Sequence, residues 1–412
     1  MTATQKPTLP GLRADGPMGM AASNEAWASL RQKCPVAWAE DYGGFWILSK
    51  YDDIARVFRE TETFSSARIN DPDNISVAIQ PTPVPWALIP EELDMPEFRS
   101  YRRIINSMLS PAAVRAMQPR IKRWVTHYVD QFIELGTADL AECLTTAVPG
   151  AVTLEWLGFP QEDWVRIYMC FHNLFGYPDG TEQRQAAVEE LGFVHKRIDE
   201  ITRDRKARPR DDAISFIVSQ EIEGKLISDE YARGMVWLAI GGGVDTTASL
   251  TGATLVHLHH DHELRRRLIA EPELRRTATE EFLRMHAPVR GHARTVVAET
   301  EIRGVVMRPG DRVLVGEYSA CHDEDEFEDP TTFVVDRSPN RHAAFGLGIH
   351  RCPGSHLARA EFDEMLSQVL ERIPDYVILE TEAREYPIAL SSLGGWAELP
   401  VTFTPGVRVG VE

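Results

Sequence analysis

Apolar side chains recur at three- and four-residue intervals through most of this 412-residue chain, a spacing that predicts a mainly helical protein. The clearest helical stretches are 51–60, 99–109, 112–135, 139–157, 161–175 and 182–206. Pro111, Gly136, Pro160 and a turn from Tyr177 to Gly180 separate the later ones, since proline removes a backbone donor and glycine frees the backbone. A polar linker, 207–212, leads through a short helix to a central helix predicted over 228–258, and helices over 262–270 and 272–286 follow. Alternating, aromatic or β-branched stretches are few. Segments 35–40 and 44–49 predict a hairpin, 295–315 alternates around Arg308-Pro309-Gly310-Asp311, and 376–380 and 399–404 predict terminal strands. Residues 1–24 predict a loosely ordered N-terminal arm. Residues 65–95, with Pro81, Pro83, Pro85 and Pro90 around Trp86, predict a long loop of the kind that serves as a lid. No internal repeat or Pro/Ser-rich linker interrupts 25–412, which therefore predicts one large domain, mainly α with a small β-rich subregion.

Composition narrows the function classes. A formal net charge of −18 argues against nonspecific nucleic-acid binding, which needs a basic surface. The five cysteines, Cys34, Cys143, Cys170, Cys321 and Cys352, are odd in number and far apart, and no apolar leader precedes the first. That pattern predicts free thiols in a reducing cytoplasm. The longest apolar run, 235–256, carries Asp245 and several Thr and Gly, so it reads as a buried core helix and not as a membrane span. The acidic run 323–329 lacks the ligand spacing of a calcium loop and reads as a solvated loop.

The densest candidate chemistry is Phe345-Gly346-Leu347-Gly348-Ile349-His350-Arg351-Cys352-Pro353-Gly354. Apolar residues at Ala358, Phe362, Leu366, Val369 and Ile373 continue it at helical spacing, and proline suits a first helical turn. Cys352 is therefore expected at a helix N-terminus, where the dipole favours a thiolate. A thiolate among glycines with a cationic residue on each side suits a metal approached from one face. In the predicted central helix, Gly241-Gly242-Gly243 is costly and implies close backbone approach or local opening, immediately before Asp245 and Thr246. Glu281 and Arg284 share one helix face.

These stretches together resemble the cytochrome P-450 family. The FGxGxHxCxG pattern matches the family's haem-binding signature at every fixed position, and Gly242-Gly243-Val244-Asp245-Thr246 is similar to its oxygen-activation motif. Glu281-Phe282-Leu283-Arg284 matches its ExxR element. The resemblance runs from the hairpin to the terminal strands. It implies haem b between the central helix and the cysteine loop, with Cys352 as axial ligand and Phe345, Gly346 and Gly354 shaping the loop. It implies Arg102, Arg294 and His350 at the haem propionates, Asp245 and Thr246 in proton delivery, and a buried structural triad of Glu281, Arg284 and Arg337. Phe98 stands where the family often has a histidine four residues before the arginine, which puts one propionate contact in doubt. Pocket positions by the same resemblance are Trp86, Leu238, Gly242, Val289, Arg290, His292 and Leu393. Arg290, unusual for an apolar wall, suggests either a substrate carboxylate or a second propionate contact.

The resemblance implies a soluble, cytoplasmic, bacterial-type monooxygenase, a monomer with no membrane anchor. It would insert one oxygen atom into a small hydrophobic molecule and use a two-iron ferredoxin and an NAD(P)H-dependent reductase, since no flavin domain comes after the cysteine segment. Arg102, Arg103, Arg341, Arg351 and Arg359 are expected to cluster behind Cys352 as the docking face for an acidic donor. Two alternatives differ in class. A peroxide-driven peroxygenase would not need Asp245 and Thr246. His257-Leu258-His259-His260-Asp261-His262 resembles a dinuclear zinc motif, although it would end a helix here instead of following a strand.

Overall fold

The computed structural model describes residues 6–410 except 13, 15–16, 69–76, 81–83, 85, 178–179 and 392. Pro81, Pro83 and Pro85 of the predicted lid, and the first residues of the predicted arm, lie outside the described residues. Helices dominate, and most follow the apolar spacing closely: Tyr51–Arg59, Glu97–Met108, Pro111–Phe132, Trp164–Gly176, Glu182–Ala207, His262–Ala270 and Arg275–Met285. Their apolar faces meet in one core containing Ile121, Val125, Leu154, Trp237, Phe282 and Phe362. A second, smaller core, around Trp27, Trp46, Ile47, Val313 and Leu314, lies under a five-stranded sheet. In space the strands run Val36–Ala39, Phe45–Leu48, Arg312–Val315, His292–Val296, Phe64–Ser65. The hairpin is antiparallel with Trp38 opposite Trp46, while Arg312–Val315 joins it in parallel with Leu314 opposite Ile47. Among the described residues no helix is long and apolar enough to cross a membrane.

Four local expectations are corrected. The central helix is two helices, Asp229–Gly243 and Asp245–His260, broken at Val244 with φ −96° and ψ −72°. The glycines explain both the break and the packing beside it: a Cβ on Gly243 would stand 2.6 Å from the Thr153 hydroxyl oxygen. Pro353 does not open the helix after the cysteine. The helix is Ser355–Arg372 with Gly354 as its N-cap, so Pro353 lies in the preceding turn and Cys352 two residues before the cap. The N-terminal arm is tied down: the Trp38 N–H donates to the Pro7 carbonyl at 2.7 Å, Met18 pairs with Ile388, and a helix starts at Met20. Finally, the acidic run is not simply solvated. Asp323 is 1% exposed, accepts from the Tyr51 N–H at 2.7 Å and pairs with Lys50 at 2.7 Å, anchoring the loop to the start of a helix.

Candidate active site

The cysteine loop is built by two glycines with left-handed backbone. Gly346 and Gly348 both have φ +67°, and a Cβ on Gly348 would lie 2.2 Å from the Phe58 carbonyl oxygen, so no other residue fits there. The Cys352 N–H donates to the Phe345 carbonyl at 2.8 Å, closing the loop and fixing the thiol beside the end of the helix. Burial pushes the Cys352 thiol above its usual range. The Gly354 N–H and the Arg102 guanidinium pull the other way without overcoming it. Binding a metal cation through this sulfur would favour its thiolate form. Arg359 stacks over the Phe345 ring at 4.5 Å.

Beside the loop lies a cluster of basic side chains. His350 is buried, and both its ring nitrogens lack a hydrogen-bond partner; the nearest acid oxygen, on Glu91, is 3.9 Å from Nδ1. Arg294, 2% exposed, also approaches Glu91 only to 3.9 Å. Both separations are too long for hydrogen bonds. Burial would raise the Glu91 carboxyl, but His350, Arg294 and His292 hold it down at about 2, so it is ionised. Arg102 donates to the Arg351 carbonyl, and burial lowers its affinity for its proton. Phe98 packs its ring 4.2 Å from that of His350 and supplies no donor. Nothing in the local spacing announced Glu91; its place depends on the path of the Trp86–Phe98 segment.

On the central helix Asp245 is 5% exposed, with Oδ1 2.7 Å from His172 Nδ1 and Oδ2 unpartnered. Thr246 turns its hydroxyl back to the Gly242 carbonyl at 3.0 Å, and a Cβ on Gly242 would meet nothing within 4 Å. Glu281, Arg284 and Arg337 are brought together. Arg284 donates to both Glu281 oxygens at 2.8 and 2.9 Å, and Arg337 Nε lies 3.0 Å from Oε1.

The expected pocket residues divide. Leu238, Val289 and Leu393 are half-buried, Val289 pairing with Leu393. Trp86 stacks on His195 at 4.5 Å and meets Trp237 edge-on at 6.2 Å. Arg290 is engaged elsewhere: it donates to Asn24 at 2.8 Å and covers the Tyr318 ring at 3.8 Å, which leaves it unsuited as a substrate or propionate anchor. His292, expected on the pocket wall, is instead paired with Glu317 through its ring and its backbone N–H. Burial works against a charged His292 imidazole, and Glu317 more than compensates, so its pKa is raised.

The docking face also differs from expectation. Arg359 is bound twice by Glu280 at 2.7 Å, and Arg341 by Glu326 at 2.8 Å. Arg103 and Arg351 stay exposed beside the exposed Ile349. The zinc alternative dissolves: His257 faces His286 at 3.2 Å among Phe282 and Phe333, whereas His259 and His260 turn to Glu380. Those last three are the group among the described residues with metal-ligand spacing. The Ile378 N–H already points at His259 Nδ1, leaving Nε2–H to donate to Glu380 instead of offering a lone pair.

A family model described as Cytochrome P-450 matches residues 151–373. A steroid C26-monooxygenase of Mycolicibacterium smegmatis is 31% identical over 396 residues, covering 94% of each chain. The chain belongs to the cytochrome P-450 family. Cytochrome P-450-terp of a Pseudomonas species is 28% identical over 92% of this cytochrome P-450 and 93% of its own length. Among solved structures, a Mycobacterium marinum cytochrome P-450 in complex with pseudoionone superposes with a TM-score of 0.85 at 26% identity, over 94% of this chain and 96% of that one. A Bacillus megaterium cytochrome P-450 in complex with testosterone gives 0.79 at 28%, over 92% and 99%. The fold is that of a haem-thiolate monooxygenase.

Cytochromes P-450 hold haem b through a cysteine thiolate, and the residues present fit that group. The orphaned His350 ring and the under-coordinated Arg294 suit carboxylates. The open side of Gly346 and the backbone donor at Gly354 suit a flat ring over a sulfur ligand.

Proposed function

We propose that this cytochrome P-450 inserts one atom of dioxygen into a largely apolar organic molecule by hydroxylation or epoxidation, with Cys352 holding haem b. Bound haem would supply the iron at which dioxygen is activated, and electron donation from the Cys352 thiolate would favour O–O cleavage there. The chain's own residues do the rest. Arg294, His350 and Arg102 orient the cofactor through its carboxylates. The helix break at Val244 leaves Thr246 and Asp245 at an opening in the backbone ladder, where an alcohol and an acid can hold and move a proton. The juxtaposition of an acid and a back-bonded alcohol at that break is the observation that carries this reading over a peroxide-driven one. A peroxide user already brings both oxygen atoms and their protons.

Relatives and structural neighbours named for steroids, testosterone and pseudoionone support a substrate between a terpenoid ketone and a steroid in size. Electrons come from a separate ferredoxin and NAD(P)H-dependent reductase. The docking face includes Arg103, Arg351 and Ile349, exposed cations with an exposed apolar contact.

The deciding experiment is the absorption spectrum of the dithionite-reduced protein under carbon monoxide, beside Cys352→Ala. A red-shifted Soret band that disappears in the variant is expected. A haem-reconstituted protein lacking that band would overturn the reading. Spin-state titration with pseudoionone and testosterone then tests substrate size, and turnover with NADH against peroxide tests the oxidant.

A further inference from the structure

Asp245 is buried and is held from one side by an imidazole. Its Oδ1 meets His172, from the Trp164–Gly176 helix, at 2.7 Å, and the other ring nitrogen of His172 meets the Tyr386 hydroxyl at 2.7 Å. All three side chains are buried, His172 being 8% exposed. Asp245 Oδ2 has no partner, so His172 holds the carboxyl group through one oxygen alone. Three segments of the chain thus meet in one acid–imidazole–phenol line, which ends at the break in the central helix. The Tyr386 ring continues the line outward to that of half-buried Tyr177 at 5.4 Å.

We propose that His172 is the proton-carrying partner of Asp245, an imidazolium held between the carboxylate and the Tyr386 hydroxyl that reloads Asp245 with a proton in each catalytic cycle. This rests on the monooxygenase reading above. The proton on His172 Nδ1 passes to the Asp245 carboxylate, leaving a neutral imidazole and a neutral acid. Rotation of the carboxyl carries the proton toward Thr246 and uncovers His172 Nδ1. Asp245 gives the proton up and becomes a carboxylate again, and Nδ1 regains one from a water that enters where the carboxyl stood. Nε2–H stays on the Tyr386 oxygen throughout. His172 acts through Asp245 and is a positioning and relay residue, not a catalytic one.

Electrostatics agree with an imidazolium. Burial opposes the charge on His172, but the Asp245 carboxylate outweighs it and raises the pKa. The groups facing His172 are Asp245 and Tyr386; those facing Tyr386 are Asp245, Tyr177 and Asp139. Burial, reinforced by these neighbours, keeps the Tyr386 phenol neutral. Because the His172 pKa is raised, the charged pair is complete below the ordinary imidazole value of 6.5 and is lost as pH rises through the raised one.

The test is turnover with an external electron supply. Holoenzyme is given pseudoionone, a two-iron ferredoxin and its NAD(P)H-dependent reductase in saturating amount, because a second electron must arrive before the proton is drawn. Product formation is followed from about pH 5 to about pH 9 in water and in D2O. The wild-type rate is expected to fall on the alkaline side. His172→Gln keeps a hydrogen bond to Asp245 but carries no proton; it should be slower by about 10-fold and lack the alkaline limb, whereas a directly acting general acid contributes ~100-fold or more. Tyr386→Phe should retain the limb at lower pH, and remains informative where the glutamine variant fails to fold. A readout independent of turnover is the His172 ring resonance in histidine-labelled protein, which should titrate above 6.5 and move down in Asp245→Asn. Superimposed pH profiles and isotope effects for wild type, His172→Gln and Tyr386→Phe would overturn the proposal. Loss of the carbon monoxide band from the wild type would instead sink the monooxygenase reading.

Discussion

Two glutamates, each facing two basic side chains, show how differently the same residue types are used in this molecule. Around Glu281 every contact is short. Arg284 grips both oxygens, Arg337 and Asn340 add donors at 3.0 and 3.1 Å, and the Val334 N–H adds another at 3.0 Å. Arg284 spends its remaining hydrogens on the carbonyls of Cys321, Pro330 and Thr332. Around Glu91 the contacts to Arg294 and His350 stop at 3.9 Å, and the His350 ring has no hydrogen-bond partner. A saturated cluster has nothing left to bind and serves as structure. An unsaturated one holds charge ready for a ligand, and two haem carboxylates meet that need.

The largest expected effect breaks the closed cluster. Arg284→Leu leaves Glu281 buried without its main partner, which costs about 3–5 kcal/mol. Denaturant melts should show a protein with little folded population or a greatly lowered midpoint, whereas Arg294→Leu should fold near normally and lose haem. Equal destabilisation by the two variants would erase the distinction.

A smaller effect sharpens the open cluster through pH. The Glu91 carboxyl is held at about 2 against an ordinary 4.5. A depressed acid contributes stability that is present above 4.5 and lost as pH falls toward about 2. Glu91→Gln should therefore remove part of the stability decline in that acid window, measured by melts at a series of pH values. At neutral pH the variant frees Arg294 and His350 for the cofactor, and haem release to an acceptor protein should slow. Unchanged acid sensitivity would show that Glu91 is not charged in the native state.

The smallest effect concerns Phe98. Its ring packs on His350 at a tilt of 45° and cannot donate. Phe98→His should supply a hydrogen bond to a haem carboxylate at the cost of some apolar burial, slowing haem release by about threefold. Faster release would mean that the packing of Phe98 on His350 matters more than a donor.

Much of the fold was legible along the chain, because helices that bury one stripe repeat apolar residues every three or four positions. The cysteine loop was legible too. The turn at Gly348 can be made by glycine alone, and that requirement is written locally. Less was legible where partners come from afar. Phe64–Ser65 and Thr137–Asp139 are short strands completed by residues hundreds of positions away, so no alternation marks them. Arg290 looked available because nothing nearby in sequence predicts Asn24 and Tyr318 as its neighbours.

By itself the sequence determined the helical framework, the thiol with its glycines, and the acid–alcohol pair beside a weakened helix. These are local consequences of periodicity, backbone freedom and residue chemistry. Only the tertiary structure decided how those groups are charged and what holds them. Packing opened the central helix at Val244, and burial raised the Cys352 thiol against the pull of nearby donors. It also set Glu91 against His350 and His172 against Asp245, from segments 259 and 73 residues away. Proton affinity depends on desolvation and on charges within a few ångströms, and both are properties of the folded interior.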